Sequence, residues 1–191
     1  MKFKELLFLI KTDLYRLTGI RGGLKDFFKQ FIINKSFKIV FLFRICNYLY
    51  VNNYSRLLFF LKIIYRYYQT KYSIDLPYET QIGSGLYIGH IFGIVLNPKV
   101  VIGKNVNLSQ GITIGVANRG PRKGYPTIGN NVYIGPGAVI IGNIKIGNNV
   151  AIGANCVVTK DIPDNAVAVG IPAKIISYNG SVDYINKTDY E

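Results

Sequence analysis

The distribution of apolar positions changes at about residue 82 of this 191-residue chain. From Ile82 to about Val167, aliphatic residues recur every six positions, and the dipeptide Ile-Gly, absent before Ile82, occurs nine times. A six-residue period fits neither an α-helix nor an alternating strand. It fits a short strand followed by a turn, with one aliphatic side chain per unit pointing inward. The pattern therefore predicts a solenoid of stacked coils, with three units in a coil of about eighteen residues.

Two segments interrupt the six-residue phase and shift it by two positions each. One is VLNPKVV at residues 95–101, and the other is VANRGPRKGYPT at residues 116–127, which is rich in Gly, Pro and basic residues. We expect the second segment to be an inserted loop, long enough to serve as a functional lid. The in-phase aliphatic residues on either side are Ile82, Ile88 and Ile94; Ile102, Leu108 and Ile114; and Ile128, Ile134, Ile140, Ile146, Ile152 and Val158.

Residues 1–74 have a different pattern, which predicts helices. In residues 37–50 and 54–68, large apolar residues alternate with a Lys or Arg every four to six positions, and Arg44 and Lys62 interrupt any apolar run long enough to span a membrane. We expect a helical region that packs on itself or on another subunit, or that contacts an anionic membrane surface. The predicted organisation is a helical region at 1–74, a solenoid domain at 75–174 and a tail at 175–191.

Charge and composition narrow the function further. Residues 1–74 hold fourteen Lys or Arg and three Asp or Glu, whereas residues 75–191 hold nine and seven. No nucleic-acid motif accompanies this basic charge, so we expect no nucleic-acid partner. The single histidine and two distant cysteines, Cys46 and Cys156, exclude a disulfide framework and a zinc site. No signal peptide is visible, so we expect a cytoplasmic protein, with peripheral contact at the inner face of the membrane as an option.

The chain resembles the hexapeptide-repeat acyltransferases, and within them the serine acetyltransferase branch. The resemblance covers residues 75–174 and rests on IDLPYETQIGSGLYIGH, NVNLSQGITIG and a long closing segment, VYIGPGAVIIGNIKIGNNVAIGANCVVTKDIPDNAVAVGIPAK. GLYIGHIFGIVLNP together with RGPRKGYPTIG more narrowly resembles the acetyltransferases of capsule and exopolysaccharide clusters, including the colanic-acid type. The resemblance implies a mainly β fold, a left-handed parallel β-helix preceded by the helical region, and an acetyl-CoA-dependent O-acetyltransferase.

The resemblance also implies which residues perform the chemistry. His90, the only histidine, stands where the family has its general base, and Asp75, fifteen residues earlier, stands where the family has the partner of that base. A neutral imidazole suits proton removal from an alcohol near neutral pH, and a carboxylate would fix its tautomer. We expect Asp75 to lie beneath His90 in the stack. Because no good nucleophile is available for an acyl-enzyme, we predict direct transfer.

The resemblance further implies a coenzyme A groove shared between subunits of a homotrimer. His90 of one subunit would then face the 116–127 loop of its neighbour. The residues expected to contact coenzyme A, or to stabilise the oxyanion beside it, are Gly115, Val116, Pro136, Ala154, Lys160 and Lys174.

The acceptor is predicted from departures from the serine enzymes. Those enzymes have an aspartate directly before the base, where this chain has Gly89, and an Arg-His pair where it has Gly124-Tyr125. An amino-acid acceptor needs a cation and an anion, so their loss favours a sugar hydroxyl of a surface polysaccharide or its precursor. The expected acceptor-binding residues are Tyr87, Arg119, Arg122 and Tyr125. Serine O-acetylation remains the alternative, since the basic residues of the loop could replace the arginine, and a non-catalytic scaffold is the second alternative.

Overall fold

A computed structural model describes residues 1–21 and 23–190 of the chain. Helices α1 (Phe3–Thr18), α2 (Leu24–Ile33), α3 (Lys35–Val51) and α4 (Ser55–Tyr72) come first. The strands that follow are short: β1 (Gln81–Ile82), β2 (Tyr87–Ile88), β3 (Val95–Leu96), β4 (Val101–Ile102), β5 (Asn107–Leu108), β6 (Thr113–Gly115), β7 (Thr127–Ile128), β8 (Tyr133–Ile134), β9 (Val139–Ile141), β10 (Lys145–Ile146), β11 (Ala151–Ile152), β12 (Val157–Val158), β13 (Val167–Val169) and β14 (Lys174–Ser177).

The strands form the three faces of a parallel β-helix. The first face contains β1-β4-β7-β10, the second β2-β5-β8-β11-β13-β14, and the third β3-β6-β9-β12. From β1 to β13, consecutive strands along the chain lie on different faces, and strands of one face pair in parallel from coil to coil. β14 returns along the second face and pairs antiparallel with β13. The solenoid predicted from the six-residue period is confirmed.

Two positions in each six-residue unit fill the core. The inward residue of the strand is one, and the residue two places before it is the other, as in Ile112 with Ile114 and Val132 with Ile134, all 0% exposed. Each coil thereby covers the aliphatic residues of the next, so burial depends on stacking rather than on any single unit. Cys156 occupies the second type of position, is 0% exposed and is a small core residue.

The first phase shift lies in a different place from the one predicted. The inward strand residue after Ile88 is Leu96, not Ile94, because Val95 and Leu96 form β3. Ile94 fills the second core position instead. The two additional residues therefore lie in the turn at 89–94, which contains His90, and not at 95–101. The second interruption does lie between β6 and β7, where the sequence predicted an inserted loop.

Glycine and asparagine make the corners of the coils. A Cβ at Gly103 would lie 2.6 Å from the carbonyl oxygen of Gly129, so close stacking of the coils excludes a side chain there. At one corner Asn131 and Asn149 adopt left-handed backbone angles (φ 56° and 55°). The Asn131 amide donates to the Asn149 side-chain oxygen (3.0 Å), and Asn149 donates in turn to Asn165 (3.1 Å). The ladder satisfies polar groups that the turns would leave unpaired.

A buried ion pair joins the helical region to the first coil. Arg44 of α3 donates to both carboxylate oxygens of Asp13 of α1 (2.8 and 3.1 Å) and to the carbonyl oxygens of Ile82 and Gly83 (2.7 Å each). The Asp13 carboxylate also accepts from the backbone N–H of Leu86 (2.8 Å). Burial raises the pKa of Asp13, while Arg44 acts in the opposite direction. The contact fixes α1 and α3 against the open end of the solenoid.

The outer side of the helical region exposes large apolar residues. On α4 these include Leu57, Phe60, Ile64 and Tyr67, between 48% and 66% exposed, on the side away from buried Tyr65. None of the helices in the described residues is both long and apolar enough to cross a membrane.

The tail that follows β14 forms a strap along the coils. Ser181 donates to the carbonyl oxygen of Asn131 (2.6 Å), and the ring of Tyr184 stacks on Tyr133 with centroids 4.4 Å apart. Farther along, the carbonyl oxygen of Asn186 accepts from Arg16 of α1. The strap therefore connects the coils back to the helical region.

Candidate functional site

His90 lies exposed in the turn between β2 and β3, at the corner between the second and third faces. The residue before His90 is Gly89, and its carbonyl oxygen accepts a hydrogen bond from the hydroxyl of Ser36 at the start of α3 (3.4 Å). Farther along the turn, the backbone N–H of Gly93 donates to the carbonyl oxygen of Ser73, just after α4 (2.8 Å). The helical region thus holds this turn on one side, while the imidazole itself stays accessible to a substrate.

Asp75 lies one coil below the start of β3. It forms an isolated parallel bridge with Val95, donating its N–H to Ile94 (2.7 Å) and accepting from Leu96 (2.9 Å). The two-residue insertion makes this coil twenty residues long, so the backbone register partner of Asp75 is Val95, and His90 lies five residues before Val95 in the turn. Within the described residues, the Asp75 carboxylate forms no hydrogen bond to the imidazole. The pairing of Asp75 with His90 therefore stays a prediction.

Two of the residues expected to contact coenzyme A share a corner with His90. We call the turns at 89–94, 109–112, 135–138 and 153–156 the histidine edge. Hydrogen bonds between coils connect it, from Gly137 to Gln110 (3.0 Å) and from Asn155 to Pro136 (2.8 Å). Pro136 and Ala154 stack directly above one another on this edge. Lys174, exposed at the start of β14, lies near its far end.

The other predicted residues lie at the corner between the third and first faces. We call the turns at 77–80, 97–100, 116–126, 142–144 and 159–161 the loop edge. The long loop forms a small hairpin, in which Ala117 and Gly124 exchange two backbone hydrogen bonds (3.0 Å each). The residues on this edge are Gly115, Val116, Arg119, Arg122, Tyr125 and Lys160.

The cations of the loop differ in their contacts. Arg122 forms an ion pair with Asp161 (3.3 Å), and a backbone hydrogen bond from Lys145 is the main reason that the pKa of Asp161 is lowered. Arg119 and Lys123 are exposed. Arg122 is thus already engaged within its own chain.

The structure does not bring Tyr87 and Tyr125 together within one chain. Tyr87 lies on the second face, with the Arg16 guanidinium 5.8 Å from its ring centroid. Tyr125 lies on the loop edge, under the ammonium of Lys99 at 5.3 Å. The third face separates the histidine edge from the loop edge within one chain.

Sequence reasoning missed a cavity on the loop edge. It has a volume of about 440 Å³ and lies between the end of α3 and the turns of the first two coils. Glu79 and Lys99 both line it. The only signal in the sequence was that Glu79 is the last carboxylate before Asp161.

The family profile named "Bacterial transferase hexapeptide (six repeats)" matches residues 125–160. The serine acetyltransferase of Buchnera aphidicola is 30% identical over 185 residues, which cover 96% of this chain and 66% of that protein. A Staphylococcus aureus serine acetyltransferase is 42% identical over 107 residues, covering 56% of this chain and 50% of the relative. The chain thus spans less than two thirds of the length of these curated relatives.

Solved structures show the same relationship. The serine acetyltransferase of Neisseria gonorrhoeae in complex with serine has a TM-score of 0.76 and 28% identity, covering 92% of this chain and 70% of the neighbour. The enzyme from Brucella abortus in complex with coenzyme A has a TM-score of 0.78 and 27% identity, covering 93% and 70%. The fold is a left-handed parallel β-helix with an N-terminal helical region, as predicted.

Two predictions are corrected by these relatives. The narrower resemblance to capsule and colanic-acid acetyltransferases is not supported, because the relatives and neighbours are named serine acetyltransferase. The same finding overturns the sugar acceptor and favours the alternative, serine. Gly89 and Gly124-Tyr125 show only that charged groups are missing at those positions. They do not show whether other residues supply the charges, and acceptor binding by Tyr87 and Tyr125 stays a prediction.

Proposed function

Because the chain belongs to the hexapeptide-repeat family of bacterial transferases, we propose that it transfers the acetyl group of acetyl-CoA to the hydroxyl of L-serine. The observation that carries this proposal is the similarity to a serine acetyltransferase along 96% of the chain. The neighbour solved with serine and the neighbour solved with coenzyme A support both substrates.

His90 is the proposed general base. The serine oxygen attacks the thioester carbonyl, its proton passes to the imidazole, and the C–S bond breaks as the new C–O ester bond forms. The imidazolium then returns the proton to the sulfur of coenzyme A, so no acyl-enzyme is needed. Asp75 is proposed to orient the imidazole, and the N–H groups of Gly115 and Val116 to stabilise the oxyanion that forms before the C–S bond breaks.

Coenzyme A is proposed to lie along the histidine edge. Pro136 and Ala154 form a continuous backbone surface there that suits a pantetheine arm. Lys160 and Lys174 are exposed and could meet phosphates as point charges. The separation of the two edges supports a homotrimer, in which the loop edge of one subunit adjoins the histidine edge of the next.

The helical region supports a second, independent proposal, peripheral contact with an anionic membrane. Helix α4 contains Arg56, Lys62, Arg66 and Lys71 and no carboxylate, and its exposed side carries large apolar residues. A second copy of this helix would bring like charges together, whereas an anionic surface complements them.

Thiol release from acetyl-CoA in the presence of L-serine tests the catalytic proposal. We expect turnover by the wild type and a loss of about 10²–10⁴-fold in His90→Ala, because proton transfer contributes that much. Lys4→Ala, at an exposed position of α1 away from both edges, is the control and should stay near wild type. An inactive wild type would contradict serine as the acceptor, and an active His90→Ala would contradict the mechanism.

A further inference from the structure

The proposed acceptor raises a question of charge, because serine carries an ammonium and a carboxylate. Both need partners of opposite charge in a selective site. Carboxylates are scarce in the solenoid: between Ile74 and Lys160 the sequence has only Asp75 and Glu79. Asp75 lies on the third face, where its backbone pairs with Val95, and is already proposed to orient His90. Glu79 is therefore the available anion on the loop edge of the first coils.

We propose that Glu79 and Lys99 bind the ammonium and the carboxylate of the acceptor amino acid in the cavity that they line together. This assignment rests on the proposed function and names the residues that would select its acceptor. The cavity, of about 440 Å³, has the size of small-molecule sites. Its walls also include Tyr50, Gln81, Pro98 and Val101.

Tyr78, the residue before Glu79, is packed against another tyrosine. The ring of Tyr78 packs edge-on against Tyr50, with centroids 5.6 Å apart. Burial, followed by charge and hydrogen-bond interactions with Glu79, raises the pKa of Tyr78. The hydroxyl thus keeps its proton near neutral pH and can donate to the carboxylate. Glu79 forms no ion pair among residues 1–21 and 23–190, so its charge is available to a ligand cation.

The position of Lys99 is fixed from two sides. Its backbone N–H donates to the side-chain oxygen of Asn97 (3.0 Å), which shapes the turn. Its ammonium lies 5.3 Å from the ring centroid of Tyr125, which belongs to the inserted loop. Within the described part of the chain it forms no ion pair with a carboxylate. Lys99 therefore offers a positive charge near Gly124-Tyr125, where the sequence lacks the arginine expected of a serine enzyme.

The cavity lies on the loop edge, across the third face from the histidine edge of the same chain. An acceptor bound there would meet His90 of an adjoining subunit rather than its own. Acceptor selection and proton removal would thus come from different copies of the chain.

Steady-state kinetics of Glu79→Gln and Lys99→Met test the assignment. Because a lost charge-assisted contact costs about 1.5–3 kcal/mol, we expect KM for L-serine to rise about tenfold or more in each variant. KM for acetyl-CoA should stay within about twofold. Lys123→Met, which removes an exposed charge of the inserted loop outside the cavity, is the matched control and should leave KM for serine near wild type.

Acceptor analogues separate the two charges. 3-Hydroxypropionate lacks the ammonium, and 2-aminoethanol lacks the carboxylate. Glu79→Gln should lose preference for serine over 3-hydroxypropionate, and Lys99→Met should lose preference for serine over 2-aminoethanol. A purely structural defect would lower turnover of all acceptors equally and would overturn the assignment.

The failures are distinguishable. Wild-type turnover of serine with unchanged KM in both variants would overturn this assignment and leave the proposed function intact. A raised KM in Lys123→Met, with no change in Lys99→Met, would assign the carboxylate to the loop and overturn the role of Lys99. No turnover of serine by the wild type would overturn the proposed function, and this assignment with it.

Discussion

The solenoid and the helical region bury different kinds of side chains. The coil core is aliphatic, with Ile134 and Ile140 fully buried between aliphatic neighbours in the adjacent coils. The helical region meets the coils through the buried charged groups of Asp13, Arg16 and Arg44, and it leaves large apolar residues of α4 on the surface. Stacked repeats therefore gain stability from many equivalent contacts. The helical region depends on a few specific polar contacts and leaves a surface suited to another partner.

Breaking the polar junction should have the largest effect on stability. In Arg44→Ala, Asp13 would remain buried without its cation, and two carbonyl oxygens would lose their donor, so we expect a loss of about 4 kcal/mol. Urea denaturation measures this loss. The double variant Asp13→Leu/Arg44→Met removes both charges. Its loss in free energy of unfolding should be smaller than the sum of the losses in the two single variants. A loss below about 1 kcal/mol in Arg44→Ala would contradict a structural role for the junction.

Opening a cavity in the coil core should lower the free energy of unfolding somewhat less than breaking the polar junction does. Ile134 is 0% exposed and pairs with Leu108 and Ile152 in the neighbouring coils. We expect Ile134→Ala to lower the free energy of unfolding by about 3 kcal/mol and Ile134→Val by about 1 kcal/mol. Equal effects of the two variants in thermal or urea denaturation would argue against close packing between coils.

The asparagine ladder should contribute less to the free energy of unfolding than the packing of Ile134 does. Asn149→Ala removes hydrogen bonds to Asn131 and Asn165 and keeps a Cβ in a left-handed conformation, so we expect a loss of about 1–2 kcal/mol. Asn149→Gly loses the same hydrogen bonds but relaxes the backbone, and it should be less destabilised than Ala. If Gly were the worse of the two in denaturation experiments, backbone strain would not matter at this corner.

The exposed side of α4 should have the smallest effect on stability. We expect Phe60→Ser/Ile64→Ser to change the free energy of unfolding by no more than about 0.5 kcal/mol, because both side chains are largely exposed. The same variant should bind phosphatidylserine vesicles more weakly in a sedimentation assay, whereas binding to phosphatidylcholine vesicles stays low throughout. Unchanged binding to the anionic vesicles would contradict membrane contact through α4.

The comparison also shows where sequence reasoning was sufficient. The six-residue period identified the β-helix because each unit repeats the same local requirement, an inward aliphatic residue followed by a tight corner. The helical region was predicted only as helices, because the contacts that fix it join distant parts of the chain, such as Arg44 with Asp13 and Ile82. The strap was missed for the same reason, since Tyr184 stacks on Tyr133 only in the folded chain.

The candidate site divides in the same way. Sequence by itself singled out His90, because it is the only histidine in the chain, and it located the inserted loop at 116–127. It could not separate the histidine edge from the loop edge, and it assigned the first phase shift to the wrong segment.

Sequence also could not bring Glu79 and Lys99 together. They lie twenty positions apart and line the same cavity only because one coil stacks on the next. The local repeat therefore determined the solenoid, and the sequence shows that the chain has a single histidine. Only the tertiary structure decided which charges share a cavity, because that depends on the register between coils, and two inserted residues are enough to change it.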